Sequence, residues 1–241
     1  MPGKRKIIVS VAISADGFIA RRDGAVDWLN RPQPKGNYGM GAFYRSIDTI
    51  LWGRKTCDMA LAFQAKGIVG SAFDTSVKNY VFTHTQAPSA PPSGVEFVNE
   101  PVKAFATRLR AKKGKDIWIM GGAGLIASFL DEGEIDEFIL SVVPTLIGEG
   151  IPLIVPRHRT VPLKLISSTK FTDGLVKLHY SGRQTACTGQ SYFSRRTRTS
   201  FLNWAVDSRV SLQDARQKDT RRTRKRKSAY HRHIWRSSDA A

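Results

Sequence analysis

The chain has 241 residues, of which 41% are hydrophobic, enough to bury one sizeable core or two small ones. Its apolar runs have the length of strands, far below the ~20 residues of a membrane span, and its first residues lack the architecture of a signal peptide. With only two cysteines, Cys57 and Cys187, the composition predicts a cytoplasmic protein with no metal site and at most one disulfide.

The net charge of +18 is concentrated towards the C-terminal end. Residues 1–183 contain 24 basic and 16 acidic side chains, whereas residues 184–241 contain 14 and 4. Hydrophobic periodicity is lost beyond Arg183, and the basic run Arg221–Lys227 has no apolar face to bury. We therefore predict one domain over residues 1–183 and a basic, disordered tail over residues 184–241.

Strands alternate with helices through the first two thirds of the chain. The β-branched run Ile7–Ser14 predicts a central strand, Phe18–Ala20 a short apolar return, and Met40–Ile47 a helix. Later segments continue the alternation, with strands at Thr49–Trp52, Asn79–Thr83, Val95–Val98 and Ile117–Met120, and helices at Cys57–Phe63, Val102–Ala111 and Gly124–Leu130. This order implies a parallel sheet that is covered on both faces.

The last third of the domain has an antiparallel pattern. Glu137–Pro144 predicts a strand, and Leu163–Phe171 and Leu175–Tyr180 predict a hairpin across the turn Thr172–Gly174. The fold class is therefore α/β, with a mostly parallel central sheet that ends in antiparallel strands and is flanked by helices.

Two strands end in a glycine turn that leads directly into a helix. In Gly121-Gly122-Ala123-Gly124 the glycines let the backbone turn sharply and approach a ligand, and the helix N-terminus offers free N–H groups to an anion. The pattern indicates a phosphate site. A glycine turn between a strand and a helix is also common for packing reasons alone, so both interpretations stay open.

The second turn, Gly53-Arg54-Lys55-Thr56, adds two cations and a hydroxyl at the start of a helix. Phosphate oxygens would receive charge-assisted hydrogen bonds there. The alternative is a basic N-cap region with Thr56 as the capping residue. Because Lys and Arg at a helix N-terminus oppose the macrodipole, an anionic partner would relieve an unfavourable arrangement.

Five segments carry a pattern typical of one family. They are Ser14–Ala20, Asp23-Gly24 with Asp27-Trp28, Ile47–Thr56, Met120–Ile126, and Glu134–Glu137 with Pro144–Gly150. With these five segments in this order, the chain resembles the dihydrofolate reductase superfamily. It is most similar to the reductase domain of bifunctional riboflavin biosynthesis proteins and to related stand-alone reductases. The resemblance covers residues 5–183 and implies a three-layer, dihydrofolate reductase-like fold.

The resemblance also implies an NADPH site on the two glycine turns. The residues that match the adenosine-side phosphate site of the family are Gly53, Arg54, Lys55 and Thr56. Those that match the pyrophosphate turn are Gly121, Gly122, Ala123, Gly124 and Leu125. Thr83 would lie near the adenosine ribose phosphate, and Ala12, Ile19 and Ala20 would line the nicotinamide.

The catalytic acid is harder to predict. True dihydrofolate reductases carry a buried carboxylate on the helix after the tryptophan, but the matching helix, residues 38–47, contains no acid before Asp48. Folate is therefore not the expected substrate. Asp27 is the candidate catalytic residue, and Asp16 and Trp28 are candidate substrate contacts. For either aspartate, a turn residue that caps its own backbone is the alternative interpretation.

The sequence thus predicts an NADPH-dependent oxidoreductase acting on a small heterocycle, either pterin-like or a ribosyl- or ribityl-aminopyrimidine of riboflavin- or folate-type metabolism. A homodimer is the expected assembly. The alternative is a nucleic-acid-binding protein in which the tail, with aromatic residues among its arginines, binds nucleic acid and the core is an inactive scaffold. A third interpretation is that the tail is an accidental extension.

Overall fold

The computed structural model describes residues 5–32 and 37–182. The predicted basic tail, residues 184–241, lies outside the described residues, and so does Cys187. Among the described residues, no helix combines the length and the apolar character needed to cross a membrane.

The described residues form ten strands and four α-helices. The strands are β1 Ile7–Ser14, β2 Phe18–Ala20, β3 Ile47–Gly53, β4 Lys78–Phe82, β5 Val95–Val98, β6 Asp116–Gly121, β7 Glu137–Val143, β8 Ile151–Pro152, β9 Lys164–Lys170 and β10 Val176–Ser181. The helices are α1 Met40–Ser46, α2 Arg54–Ala65, α3 Val102–Ala111 and α4 Ala123–Asp131. Two 3-10 turns, Asp27–Leu29 and Asn37–Gly39, precede α1.

Eight of these strands form one sheet in the order β5-β4-β3-β6-β1-β7-β10-β9. The pairs from β5 to β7 are parallel, whereas β10 pairs antiparallel with both β7 and β9. The predicted fold class, a mostly parallel sheet with antiparallel strands at its C-terminal end, is confirmed. Strands β2 and β8 form a separate two-stranded sheet.

Strand β6 shows how the sheet is covered on both faces. Side chains alternate along a strand, so Ile117 and Ile119 pack into one core while Trp118 and Met120 pack into the other. Helices α3 and α4 cover the first core, and α1 and α2 cover the second. The sheet and the helices on its two faces form the three layers of the domain, with one apolar core on each side of the sheet. The ends of β3, β4 and β6 are anchored by these cores.

Three predicted helices differ in their bounds from the structure, and α4, which spans Ala123–Asp131, is one residue longer at each end than predicted. Helix α1 ends at Ser46 because Ile47 has an extended backbone and begins β3. Helix α2 begins at Arg54, so Gly53 is its N-cap and Thr56 lies within its first turn. The interpretation of Thr56 as the capping residue is therefore wrong, since the chain already turns at Gly53.

Candidate functional site

The ends of three neighbouring parallel strands lie side by side at one edge of the sheet. Trp52 near the end of β3 is opposite Gly121 of β6, and Phe82 of β4 is opposite Gly53. Thr83 follows directly after β4. The fold therefore brings together the three groups of residues predicted to contact the phosphates, at the edge of a parallel sheet where such folds bind ligands.

The two glycine turns are in direct contact. A Cβ atom at Gly53 would lie 3.1 Å from the Gly122 nitrogen and 3.4 Å from the Gly121 oxygen. A Cβ at Gly122 would lie 3.1 Å from Thr56 Oγ1. The backbone of Gly121 has φ +128°, and the peptide bond between Gly121 and Gly122 is cis. The close approach leaves little room for a side chain at either glycine and joins the two turns into one surface.

Both helices that begin at this surface have open N-termini. Helix α2 starts after Gly53 and α4 after Gly122, and neither has a side-chain cap or an acidic residue in its first turn. The first N–H groups of an α-helix have no partner within the helix, and the macrodipole makes this end positive. An anionic group would therefore be favoured at both termini.

The two cations of α2 are in different environments. Arg54 Nε donates to Asp58 Oδ1 and Oδ2 at 2.9 and 3.1 Å, and its Cζ lies 5.7 Å from the ring centroid of Phe97. Lys55 is exposed and makes no ion pair within the described part of the chain. Arg54 is thus held in place, while the Lys55 ammonium is available to an anion.

Thr83 is buried and its hydroxyl shapes the turn after β4. Its Oγ1 accepts a hydrogen bond from the Thr85 N–H at 3.1 Å and lies 2.9 Å from Thr85 Oγ1. The side chain is only 7% exposed. A ligand at this strand end would therefore meet the turn that Thr83 supports.

A flap made of two chain segments lies beyond the end of β1. It pairs β2, which contains Ile19 and Ala20, with β8, and a Cβ at Gly150 would overlap the Ala20 carbonyl oxygen. The absence of a side chain at Gly150 lets the two segments touch. The residues predicted to line the nicotinamide, Ala12 on β1 and Ile19 and Ala20 on β2, are thus carried by adjoining elements.

Asp16 ties this flap together. Its carboxylate accepts hydrogen bonds from Ser14 Oγ at 2.5 Å, from the Ile147 N–H at 3.1 Å and from the Gly148 N–H at 2.7 Å. These bonds, the one from Ser14 first, hold the pKa of Asp16 below its usual value. Both oxygens are used within the chain, which favours a structural role for Asp16 over direct contact with a substrate.

Asp27 forms an ion pair at the surface. Arg21 donates to it through Nε at 2.6 Å and Nη2 at 2.9 Å, and this pairing lowers the pKa of Asp27. A carboxylate held in this way is charged at neutral pH and has no proton to give. Its predicted role as a catalytic acid stays a prediction, and the ion pair does not favour it.

Trp28 belongs to a third apolar cluster, which also contains Ala12. The tryptophan is 7% exposed, and its indole Nε1 has no hydrogen-bond partner among the described residues. The cluster consists of the buried residues Trp28, Val143 and Leu175, with Ala12, Leu29, Tyr38, Ile147 and Phe171 packed against them. An unpartnered buried N–H is costly, so an oxygen that came within reach of it would be favoured.

These features fit the dinucleotide predicted from the sequence. The glycine surface leaves room for backbone contact with phosphate, and two helix N-termini and Lys55 favour negative charge. Ala12, Ile19 and Ala20 are apolar residues of the adjoining strands β1 and β2, although Ala20 is buried and Ala12 and Ile19 pack against different apolar clusters. Two residues beside the Trp28 cluster were not predicted from the sequence. They are Tyr38 and Lys177, and Lys177 Nζ donates a hydrogen bond to the Tyr38 carbonyl oxygen. No motif marked either residue.

Comparison with known proteins agrees with the fold. The family model of the RibD C-terminal domain matches residues 5–177. The protein YwjB of Bacillus subtilis (strain 168) is 38% identical over 178 residues, which cover 73% of this chain and 98% of YwjB.

Two solved structures extend the comparison. A Shewanella sp. PV-4 protein assigned to riboflavin biosynthesis is 29% identical, with a TM-score of 0.65, and the match covers 74% of this chain and 99% of that one. Dihydrofolate reductase from Enterococcus faecalis, in complex with NADP(H), is 13% identical with a TM-score of 0.52, and the match covers 75% of this chain and 98% of that one. At this identity the comparison shows a shared fold. The resemblance seen in the motifs is confirmed: the chain belongs to the RibD C-terminal domain family.

Proposed function

We propose that this protein is an NADPH-dependent reductase of a small heterocycle. The preferred substrate is an aminopyrimidine of the riboflavin type, and a pterin is the second candidate. The observation that carries the proposal is the contact between the Gly53 and Gly122 turns, which joins two open helix N-termini at one sheet edge. Membership of the RibD C-terminal domain family supports a reductase, and the similarity to the Shewanella protein supports a riboflavin-type substrate.

In this proposal the two turns hold the phosphates of the cofactor. Gly53, Arg54, Lys55 and Thr56 bind the adenosine-side phosphates, with Thr83 beside them. The turn of Gly121 to Leu125 holds the pyrophosphate through backbone N–H groups. Arg54 is already fixed by Asp58, so little conformational entropy is lost when it binds an anion. NADPH, when bound, supplies the hydride.

The other end of the site holds the reacting rings. Ala12, Ile19 and Ala20 provide an apolar surface for the nicotinamide, and Trp28 provides both an apolar wall and a free indole N–H for a substrate oxygen. We assign Asp16 to positioning the flap that carries Ile19, because its carboxylate is fully used by Ser14, Ile147 and Gly148. The chain thereby orients two flat rings and excludes water between them.

Binding and turnover test the proposal separately. NADPH at ~100 times its dissociation constant should raise the free energy of unfolding of the full chain by about 2.7 kcal/mol, measured by thermal shift. NADPH oxidation should be faster with 5-amino-6-ribosylaminouracil or its 5′-phosphate than with dihydrofolate, because residues 38–47 contain no carboxylate for the pterin. A chain whose melting temperature does not respond to millimolar NADPH or NADH would refute the cofactor assignment.

A further inference from the structure

The turn that leads into α1 has an unusual backbone. Asn37, Tyr38 and Gly39 have φ values of 44°, 53° and 77°, all in the left-handed region. Residues other than glycine rarely adopt this conformation, which costs free energy and persists only where neighbouring groups enforce it. Strained segments of this kind concentrate at ligand-binding sites, which directs attention to the groups that hold Tyr38.

Tyr38 is held from three sides. Its phenol OH donates to Asp173 Oδ2 at 2.7 Å, and Asp173 pairs with Arg31 at 3.5 Å. Its ring packs edge-on against Phe171 with the centroids 5.1 Å apart. Its carbonyl oxygen accepts a hydrogen bond from Lys177 Nζ. The first two contacts anchor the side chain, and Lys177 alone reaches the backbone.

Lys177 lies on the same sheet face as Ala12, one of the residues predicted to line the nicotinamide. On β7, Ser141 is opposite Ala12 of β1, and Lys177 of β10 is opposite Ser141. Opposite residues in neighbouring strands point to the same face, and two strand spacings separate the Cα atoms of Ala12 and Lys177 by about 10 Å. Phe171 and Tyr38, which Lys177 contacts, both pack against the cluster that contains Ala12.

The ammonium of Lys177 is incompletely partnered. It contacts the Tyr38 carbonyl and lies 5.4 Å from the ring centroid of Phe171, and it forms no ion pair with a carboxylate of the described residues. Burial lowers the pKa of Lys177, which shows that the charge is partly removed from water. An ammonium has three N–H donors, so it has capacity for a further acceptor.

We propose that Lys177 is a substrate-binding residue that donates a hydrogen bond to an oxygen acceptor of the heterocycle held against Ala12. The acceptor is either a ring carbonyl or an anionic oxygen of a substituent. Tyr38 and Phe171 hold the ammonium in place, and the left-handed turn directs the Tyr38 carbonyl towards it. The inference rests on the proposed reductase function and names a contact that fixes the orientation of its substrate.

The test uses the full chain saturated with NADP+, the oxidised cofactor, because NADPH would reduce the pyrimidine during the titration. Lys177→Met removes the charge, Lys177→Arg keeps it, and Lys170→Met makes the matched change on the exposed strand β9. Calorimetry measures the affinity of each variant for 5-amino-6-ribosylaminouracil and for its 5′-phosphate, and a separate titration measures NADPH. Since a hydrogen bond to a charged group is involved, Lys177→Met should weaken pyrimidine binding about 10- to 100-fold. Lys177→Arg should weaken it less, and Lys170→Met should leave it unchanged.

The outcomes separate the possibilities. Equal losses for both pyrimidines identify a ring carbonyl as the acceptor, whereas a loss confined to the 5′-phosphate identifies the phosphate; either supports the proposal. Unchanged pyrimidine binding by Lys177→Met overturns it, as does an equal loss of NADPH affinity, which would mean that Lys177 only supports the fold. A wild-type chain that binds NADPH but neither pyrimidine also overturns it, whereas a chain that does not bind NADPH refutes the proposed function itself.

Discussion

Substituting Gly122 by alanine tests whether the contact between the two glycine turns shapes the cofactor site. The new Cβ would lie 3.1 Å from Thr56 Oγ1, whereas ordinary contacts begin near 3.4 Å, so Thr56 or the turn must move by a few tenths of an ångström. Overpacking of this kind costs about 1–3 kcal/mol. Because alanine also restricts the unfolded chain, about 0.4–1 kcal/mol is regained. The two effects together give an expected net loss of about 0–2.6 kcal/mol in the free energy of unfolding, centred near 1 kcal/mol.

The effect on NADPH should be larger than the effect on stability. Displacement of the turn would remove at least one charge-assisted hydrogen bond to phosphate, which is worth about 1.5–3 kcal/mol, or roughly 10- to 100-fold in the dissociation constant. Titration of the full chain with NADPH measures this change. Gly41→Ala is the matched control, because its Cβ would lie in ordinary contact, 3.7 Å from Arg45 Nη1, within α1.

A double-mutant cycle tests whether the contact with Thr56 causes the loss of stability in Gly122→Ala. If the clash with Thr56 Oγ1 produces the loss of stability, Gly122→Ala should destabilise a Thr56→Ala background much less than the wild type. Chemical denaturation of the four chains gives this coupling. A destabilisation that is the same in both backgrounds, or a Gly122→Ala variant with wild-type NADPH affinity, would refute the reasoning.

Three further predictions concern other parts of the domain. Asp16→Asn should weaken NADPH binding by loosening the flap. Because the pKa of Asp16 is lowered on folding, the stability advantage of the wild type over this variant should be present above about pH 4 and vanish as the pH falls further, as denaturation at several pH values would show. Asp27→Asn should change the maximal rate less than tenfold if Asp27 only pairs with Arg21, and a much larger loss would restore it as the proton donor. Among the described residues β9 is an edge strand of the sheet, with Ile166 51% exposed, and such edges pair with other strands. Ile166→Lys should therefore abolish the expected homodimer in light scattering, whereas the same change at the exposed loop residue Ile68 should not.

The sequence by itself determined the elements and the family. Ile7–Ser14 was predicted with the bounds that the structure has, because a nearly unbroken apolar run rich in β-branched residues is typical of a strand covered on both faces. The glycine turns were also readable, since each combines a strand pattern, glycine and a helix pattern over a few consecutive residues. Such local signals are sufficient wherever the structure depends on near neighbours in the chain.

Only the tertiary structure decided which of these residues meet. Gly53 and Gly122 are brought into contact by the parallel pairing of β3 with β6, and neither segment carries a sequence signal that predicts the other as its neighbour. Asp16 was predicted to touch a substrate, yet the loop that folds over it supplies Ile147 and Gly148 as donors. Lys177 carried no motif at all. Its position beside Tyr38 follows from strand register, which depends on packing across the whole sheet and cannot be derived from a local pattern.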